Sequence, residues 1–369
     1  LTNAAGEFDM VIRAAIRRLL MCAIVVATAR SGTAQETVNY GSIRGRVADP
    51  QGAVIQGATV TARQIDTNVA TGAVTDEEGR FRFPYLRVGA YAITVSAKGF
   101  ADARQTLALT VGSAFDVPVS LAVAAIGEQV TVIDATVLEA ARSQIAGTVS
   151  DAEMRLLPMN GRNFLDVAML VPGASPTNVG GTQLFAETSA VPGSGVSVGS
   201  QRNLSNNFVV DGLSANDDAA GLSGIPYGVD AVEQFQVVTS GAQAELGRAL
   251  GGYVSVVTRS GTNTLRGSAY GYFGDDALNA SNALSHTKLP MSNQQFGASI
   301  GGPIARDRTF FFGNVERRLL DQSGLTTIAD PSAATINARL TEVGYGGAAV
   351  ATGIYPNPVH TLNLMTKIG

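Results

Sequence analysis

Between Ser42 and Leu121 apolar residues recur at every second position, in short bursts separated by turn-forming clusters. That is the period of half-buried β-strands. The bursts predict strands at Ile43 to Val47, Ala58 to Gln64, Ala70 to Thr75, Phe81 to Pro84, Ala90 to Ala97, Ala103 to Leu109 and Ala114 to Leu121. Asp49 to Gly52 and Asp76 to Gly79 supply the Asp, Pro and Gly that chain reversals need, through a preset φ or tolerance of positive φ. Short strands at this spacing predict a small β-sandwich.

The pattern then changes. Gln129 to Ile133 alternates polar and β-branched residues, as an eighth strand or an extended linker would. Asn163 to Leu170 suits a short helix closed by Pro172 and Gly173, residues that stop helices. Strands are predicted at Phe208 to Val210, ending at an Asp211–Gly212 turn, at Val232 to Val238 and at Tyr253 to Thr258, with a helix around Ala242 to Leu250. These elements make a small mixed α/β domain. From Leu265 the alternation lengthens to strands of about ten residues carrying Tyr270, Tyr272, Phe310, Phe311 and Phe312, which suits a transmembrane β-barrel with aromatics at the membrane interfaces. A soluble sheet with a buried Phe cluster is the competing reading. The last dozens of residues, rich in Gly, Ala and Pro, read as loop. The predicted fold class is mainly β: a sandwich, an α/β domain, and the first strands of a barrel.

Composition agrees with this picture. Of 369 residues, 45% are hydrophobic and only 15% charged, with 42 glycines and 13 prolines. That is enough for two or three domains with real cores and many turns. The net charge of -4 leaves no basic footprint for nucleic acid. From Met10, Arg13, Arg17 and Arg18 precede an uncharged run from Leu19 to Ala29, and Gly32 and Ala34 offer small residues for cleavage. The run is too short to span a bilayer as a helix, so residues 10–34 are expected to be a signal peptide, cut after Ala34. Residues 1–9 are expected to be an upstream artefact. The single cysteine, Cys22, lies within this leader, so a mature chain would contain no disulfide or Cys-based zinc site.

The stretches GSIRGRVADPQGAVIQGATVTA and TDEEGRFRFPYLRVGAYAITVSAKGF resemble the carboxypeptidase regulatory-like sandwich, over residues 37–124. From Val149 onward, MRLLPMNGRNFLDVAMLVPGASP, SQRNLSNNFVVDGLSANDDAA and GVDAVEQFQVVTSGAQAELGRALGGYVSVVTRSGTNTLRGS resemble, in order, the plug domain of Oar-like TonB-dependent outer-membrane receptors. The resemblance marks residues 141–263 as plug and singles out Gly161, Arg162 and Asn163, then Pro172 and Gly173, then Asp211 and Gly212. It also marks Gly247, Gly251, Gly252, Gly261 and Asn263. Leu246 departs from the family, which has an aromatic residue there. EQVTVID, Glu128, Gln129, Val130, Thr131, Val132, Ile133 and Asp134, resembles a TonB box within a linker at 125–140. Such a segment is recognised by strand addition to a TonB-type energy-coupling protein. GGPIARDRTFFFGNVE resembles an early barrel hairpin, placing the start of the barrel at residues 264–369. A family barrel of about 22 strands needs far more chain than this, so the chain is expected to be C-terminally truncated, its open sheet unable to work as a transporter.

No catalytic chemistry suggests itself. The two histidines, His286 and His360, lie in no zinc-binding motif and are expected on loops or the surface. The glycines form no phosphate-binding loop, and Asp217, Asp218, Asp275 and Asp276 lack the spacing of a calcium loop. The expected role is uptake of an extracellular substrate across the outer membrane by a non-enzymatic receptor without cofactor or metal. A cell-surface adhesion or structural protein is the alternative.

Overall fold

The computed structural model describes residues 39–124, 131–132, 145–157, 162, 165–176, 195–217, 222–223, 228–242, 247–281, 288–326 and 328–369. The expected signal peptide, the upstream residues 1–9 and His286 lie outside the described residues.

Seven strands build the sandwich: β1 (Tyr40–Ala48), β2 (Thr59–Gln64), β3 (Ala70–Val74), β4 (Arg80–Arg87), β5 (Gly89–Ser96), β6 (Ala103–Leu109) and β7 (Ala114–Ser120). Each lies where the alternation predicts, within a few residues at the ends. One sheet has the order β4-β1-β7 and the other β3-β2-β5-β6, extended at the β6 edge by the two-residue β8 (Thr131–Val132). Apolar positions from both sheets meet in one core that includes Ile43, Val60, Phe81, Ile93, Leu109 and Val117. Pro84 has no N–H to give a ladder, and it sits in β4 at a sheet edge, where none is required. In β1 only glycine fits at position 45: a Cβ there would lie 2.0 Å from the carbonyl oxygen of Val117 on the neighbouring strand.

The central domain begins with β9 (Ile145–Ser150) and α1 (Asp151–Leu156). Ser150 caps α1: its backbone N–H donates to the Glu153 carboxylate at 2.7 Å, and its hydroxyl accepts from the Glu153 N–H at 3.4 Å. The pair forms a Ser-x-x-Glu capping box. There follow α2 (Leu165–Ala168), β10 (Ala174–Pro176), β11 (Val196–Val198), β12 (Asn207–Val210), β13 (Leu213–Ser214), β14 (Asn216–Asp217), β15 (Leu222–Ser223), β16 (Val232–Ser240) and β17 (Tyr253–Thr258). The main sheet runs β13-β12-β17-β16-β9, with β12 and β17 parallel. Phe208, Phe235, Met154 and Leu165 lie in its core. The helix expected around Ala242 to Leu250 is a correction: residues 247–250 carry no helix, and 243–246 lie outside the described residues. Gly247 and Arg248 there have φ of 24° and 64°, which a right-handed helix cannot contain.

The C-terminal region is an antiparallel sheet of β18 (Arg266–Asp275), β19 (Met291–Ala305), β20 (Thr309–Thr326), β21 (Gly353–Pro356) and β22 (Val359–Ile368). Its order is β18-β19-β20, with β21 and β22 both pairing β20. Among the described residues this sheet is open. Two corrections follow. β19 and β20 have 15 and 18 residues, not about ten. Residues after 329, read as loop, form α3 (Asp330–Glu342) and then β21 and β22, whose Val-x-Thr-x-Asn-x-Met alternation pairs from Val359 with Leu320 to Ile368 with Phe311. Pro331 in the first turn of α3 and Gly344 with φ of 68° beyond its end are ordinary helix boundary signals.

Alternation in this sheet separates two unlike faces. Gln295, Asn314 and Glu316 are buried on the inner face. Phe296, Ile300, Val315, Leu362, Leu364 and Ile368 are exposed on the outer face, where Phe273 and Phe296 pack edge to face with centroids 5.3 Å apart. Phe310 and Phe312 belong to the inner face and are buried, so they are not among the interfacial aromatics expected of the FFF run.

Candidate functional site

The polar inner face of the C-terminal sheet carries the central domain, and residues singled out in the sequence make several of the contacts. Arg162, in the left-handed region with φ of 52°, pairs with Asp230 at 2.9 Å, both largely buried. Its guanidinium stacks on the Tyr272 ring of β18, 4.0 Å from the centroid, a cation–π contact. The neighbouring Tyr270 donates its hydroxyl proton to Glu316 of β20 at 2.6 Å. A Cβ at Gly228 would lie 2.4 Å from that carboxylate, so the central backbone closes directly over Glu316. Tyr270, Tyr272 and Glu316 were not assigned this role from sequence, because alternation gives a face and not the partner pressed against it.

A second tie is made by Asp211, also left-handed with φ of 47°. Its carboxylate accepts from the Thr258 N–H at 3.0 Å and from the Thr258 hydroxyl, locking β12 to β17. Lys367 of β22 donates to the same carboxylate at 3.3 Å and to the Thr258 carbonyl at 3.1 Å. Asn263 is a third. Its N–H donates to the Asp66 carbonyl at 3.0 Å, its amide to the Thr67 carbonyl at 2.7 Å and to Asp307 at 2.8 Å, and its amide oxygen accepts from the Asp307 N–H at 2.9 Å. It thereby joins the sandwich to the β19–β20 turn.

The remaining predicted residues are mostly backbone devices. Gly173 and Gly212 have φ of 90° and 84°. A side chain at Gly251 would strike Asn206, and one at Gly252 would strike Val198. Gly261 abuts the carbonyls of Phe311 and Gly302, where the chain passes from central domain to sheet. Pro172 precedes the Gly173 turn after α2. Gly161 and Asn163 lie outside the described residues. Of the segment 128–134 only Thr131 and Val132 are described. They pair in parallel with Ala103 and Arg104 of β6. Glu128, Gln129, Val130, Ile133 and Asp134 lie outside.

A cavity of about 910 Å³ opens where the three regions meet, lined among others by Asp66, Asp151, Glu233, Arg259 and Arg266. Burial pushes the Glu233 carboxyl of β16 up to about 7, with Lys367 and Arg259 pulling the other way. Among the described residues, no group of three or more His, Cys, Asp or Glu side chains could hold a metal ion. His360 is exposed on β22 beside Asp321 at 2.9 Å, and Asp275 caps a short 3-10 turn by accepting from the Ala277 N–H.

Residues 42–122 match the carboxypeptidase regulatory-like domain family, and residues 257–367 match an outer membrane beta barrel domain family. The TonB-dependent transporter Oar of Myxococcus xanthus is 30% identical over 304 residues, which covers 78% of this chain and 26% of that protein. The chain therefore spans about a quarter of the length of this curated relative. Among solved structures, the outer membrane transporter YddB from Escherichia coli aligns at 14% identity over 61% of this chain and 30% of its own, with a TM-score of 0.43. The siderophore receptor PirA from Acinetobacter baumannii aligns at 18% identity over 48% and 28%, with a TM-score of 0.37. Likenesses this faint add no weight to the assignment. The sequence relationship and the two domain matches do: the chain is a homologue of the TonB-dependent transporter Oar and belongs to the outer membrane, with a carboxypeptidase regulatory-like domain ahead of its beta-barrel strands.

Proposed function

We propose that this chain is the front end of a receptor that carries an extracellular substrate across the outer membrane, driven by a TonB-type energy-coupling protein. The central domain acts as the plug, and Glu128 to Asp134 as the segment offered to TonB. The observation that carries this reading is the seating of the central domain on a sheet whose inner face is polar and whose outer face is apolar. A soluble sheet would hide Leu362, Leu364 and Ile368 and leave Gln295, Asn314 and Glu316 in water. Here the burial is reversed, as suits a wall with lipid on one side and a plug on the other. The receptor acts by binding and movement, with no bond of the substrate made or broken.

Thr131 and Val132 already occupy a sheet edge at β6. Passing them to TonB exchanges one strand partner for another, at the cost of two residue pairs. Backbone hydrogen bonds supply most of the affinity in strand addition, so in the full-length receptor Val132→Pro should abolish TonB pull-down and uptake without preventing outer-membrane insertion. Thr131→Ala should do much less. Unchanged TonB binding with a lowered melting temperature of the N-terminal module would retire the TonB-box reading and leave a purely structural strand.

A further inference from the structure

The sandwich is held to the central domain by a buried polar clamp at the tip between β6 and β7. Val111 lies at the tip between β6 and β7, a turn preset by Ser113, whose hydroxyl donates to the Thr110 carbonyl at 2.7 Å and accepts from the Thr110 N–H at 3.1 Å. Two glutamines of β16, two residues apart and on one face of the strand, take up both backbone groups of Val111. Its N–H donates to the Gln234 side-chain oxygen at 3.3 Å, and its carbonyl accepts from the Gln236 amide at 2.6 Å. The side chain of Val111 packs with Val88 and with Val257, the residue opposite Gln234 in the sheet. All of these groups are buried.

We propose that the sandwich is a docked brace on the central domain and not a freely swinging tether. Its clamp at Val111 and its anchor at Asn263 fix it at two separate points. A tether would not bury two glutamine amides against one backbone position, because an open clamp leaves Val111 with an apolar patch in water and closes only where docking is the resting state. The mechanical corollary rests on reading residues 128–134 as the energy-coupling segment. β8 sits on β6, the strand that leads into the Val111 tip, so a pull on that segment loads the brace before it loads the plug. Undocking then precedes plug movement.

Electron-electron double resonance on the full-length receptor tests the brace without reference to energy coupling, with nitroxides at Lys98→Cys on the sandwich and Arg202→Cys on the central domain. Both label sites are exposed. The expected result is one narrow distance in the otherwise native protein, widened about twofold by Gln234→Leu with Gln236→Leu, and equally by Val111→Asp, which leaves β16 intact. A broad distribution in the native protein would overturn the brace. So would a narrow, unmoved distance in both variants. Neither result bears on TonB pull-down, so the brace and the TonB reading can fail separately.

Discussion

The sandwich and the C-terminal sheet are written in the same period-2 alternation, yet they bury opposite halves of it. In the sandwich the apolar half is inside: Ile43, Val60 and Ile93 are at most 1% exposed. In the C-terminal sheet the polar half is inside, with Gln295 and Glu316 at 2% and 4%, while Leu362 and Leu364 stand 68% and 77% exposed. A sandwich in water hides its apolar face against a second sheet, which makes its stability its own. The C-terminal sheet turns its polar inner face to the central domain and leaves its apolar outer face exposed, as suits contact with lipid. Alternation reports that a strand has two faces. It does not report which solvent each face meets.

Core truncation should give the largest effect and also tests whether the sandwich is self-sufficient. The segment 37–124 is expected to fold alone, with dispersed amide resonances, and Ile93→Ala should lower its stability by about 2–5 kcal/mol in urea titration. A random-coil spectrum for the native segment would break the contrast at its first term. Next, Leu364→Arg on the outer face should cost about 2–4 kcal/mol of folding into lipid vesicles, whereas Leu364→Phe should be nearly neutral. Equal tolerance of Arg and Phe would mean that the outer face does not meet lipid.

Smaller effects probe the seam between the two regions. Because burial raises the Glu233 carboxyl to about 7 from the usual 4.5, its ionisation opposes the folded state. The favourable contribution is complete below about 4.5 and is lost as pH rises through 7, on the order of 1–3 kcal/mol. The receptor should therefore melt higher at pH 5 than at pH 8 from this source, and Glu233→Gln should flatten the dependence. A slope unchanged in the variant would assign it to other groups. Smallest is Ser150→Ala, expected to cost about 1 kcal/mol by uncapping α1. Differential scanning calorimetry should place that loss in the central transition, with the sandwich transition unmoved.

Sequence alone determined the local grammar. It located all seven sandwich strands, because each apolar burst ends at a turn cluster such as Asp76 to Gly79, and it placed β16 and β17 on their β-branched runs. It also singled out Asp211 as a turn residue, and Arg162 and Asn263 by resemblance alone, none of them with its long-range partner. β22 was legible in its alternation but obscured by the Gly- and Ala-rich stretch before it, and the Gly247 region read as helix because apolar spacing does not record φ. Only the tertiary structure decided which face of β18 to β22 is inner, that Arg162 meets Tyr272, that Lys367 meets Asp211, and that two glutamines of β16 hold Val111. Those contacts join residues separated by as many as 156 positions. A pattern read over a dozen residues fixes what each strand can bury, and long-range packing chooses the partner that buries it.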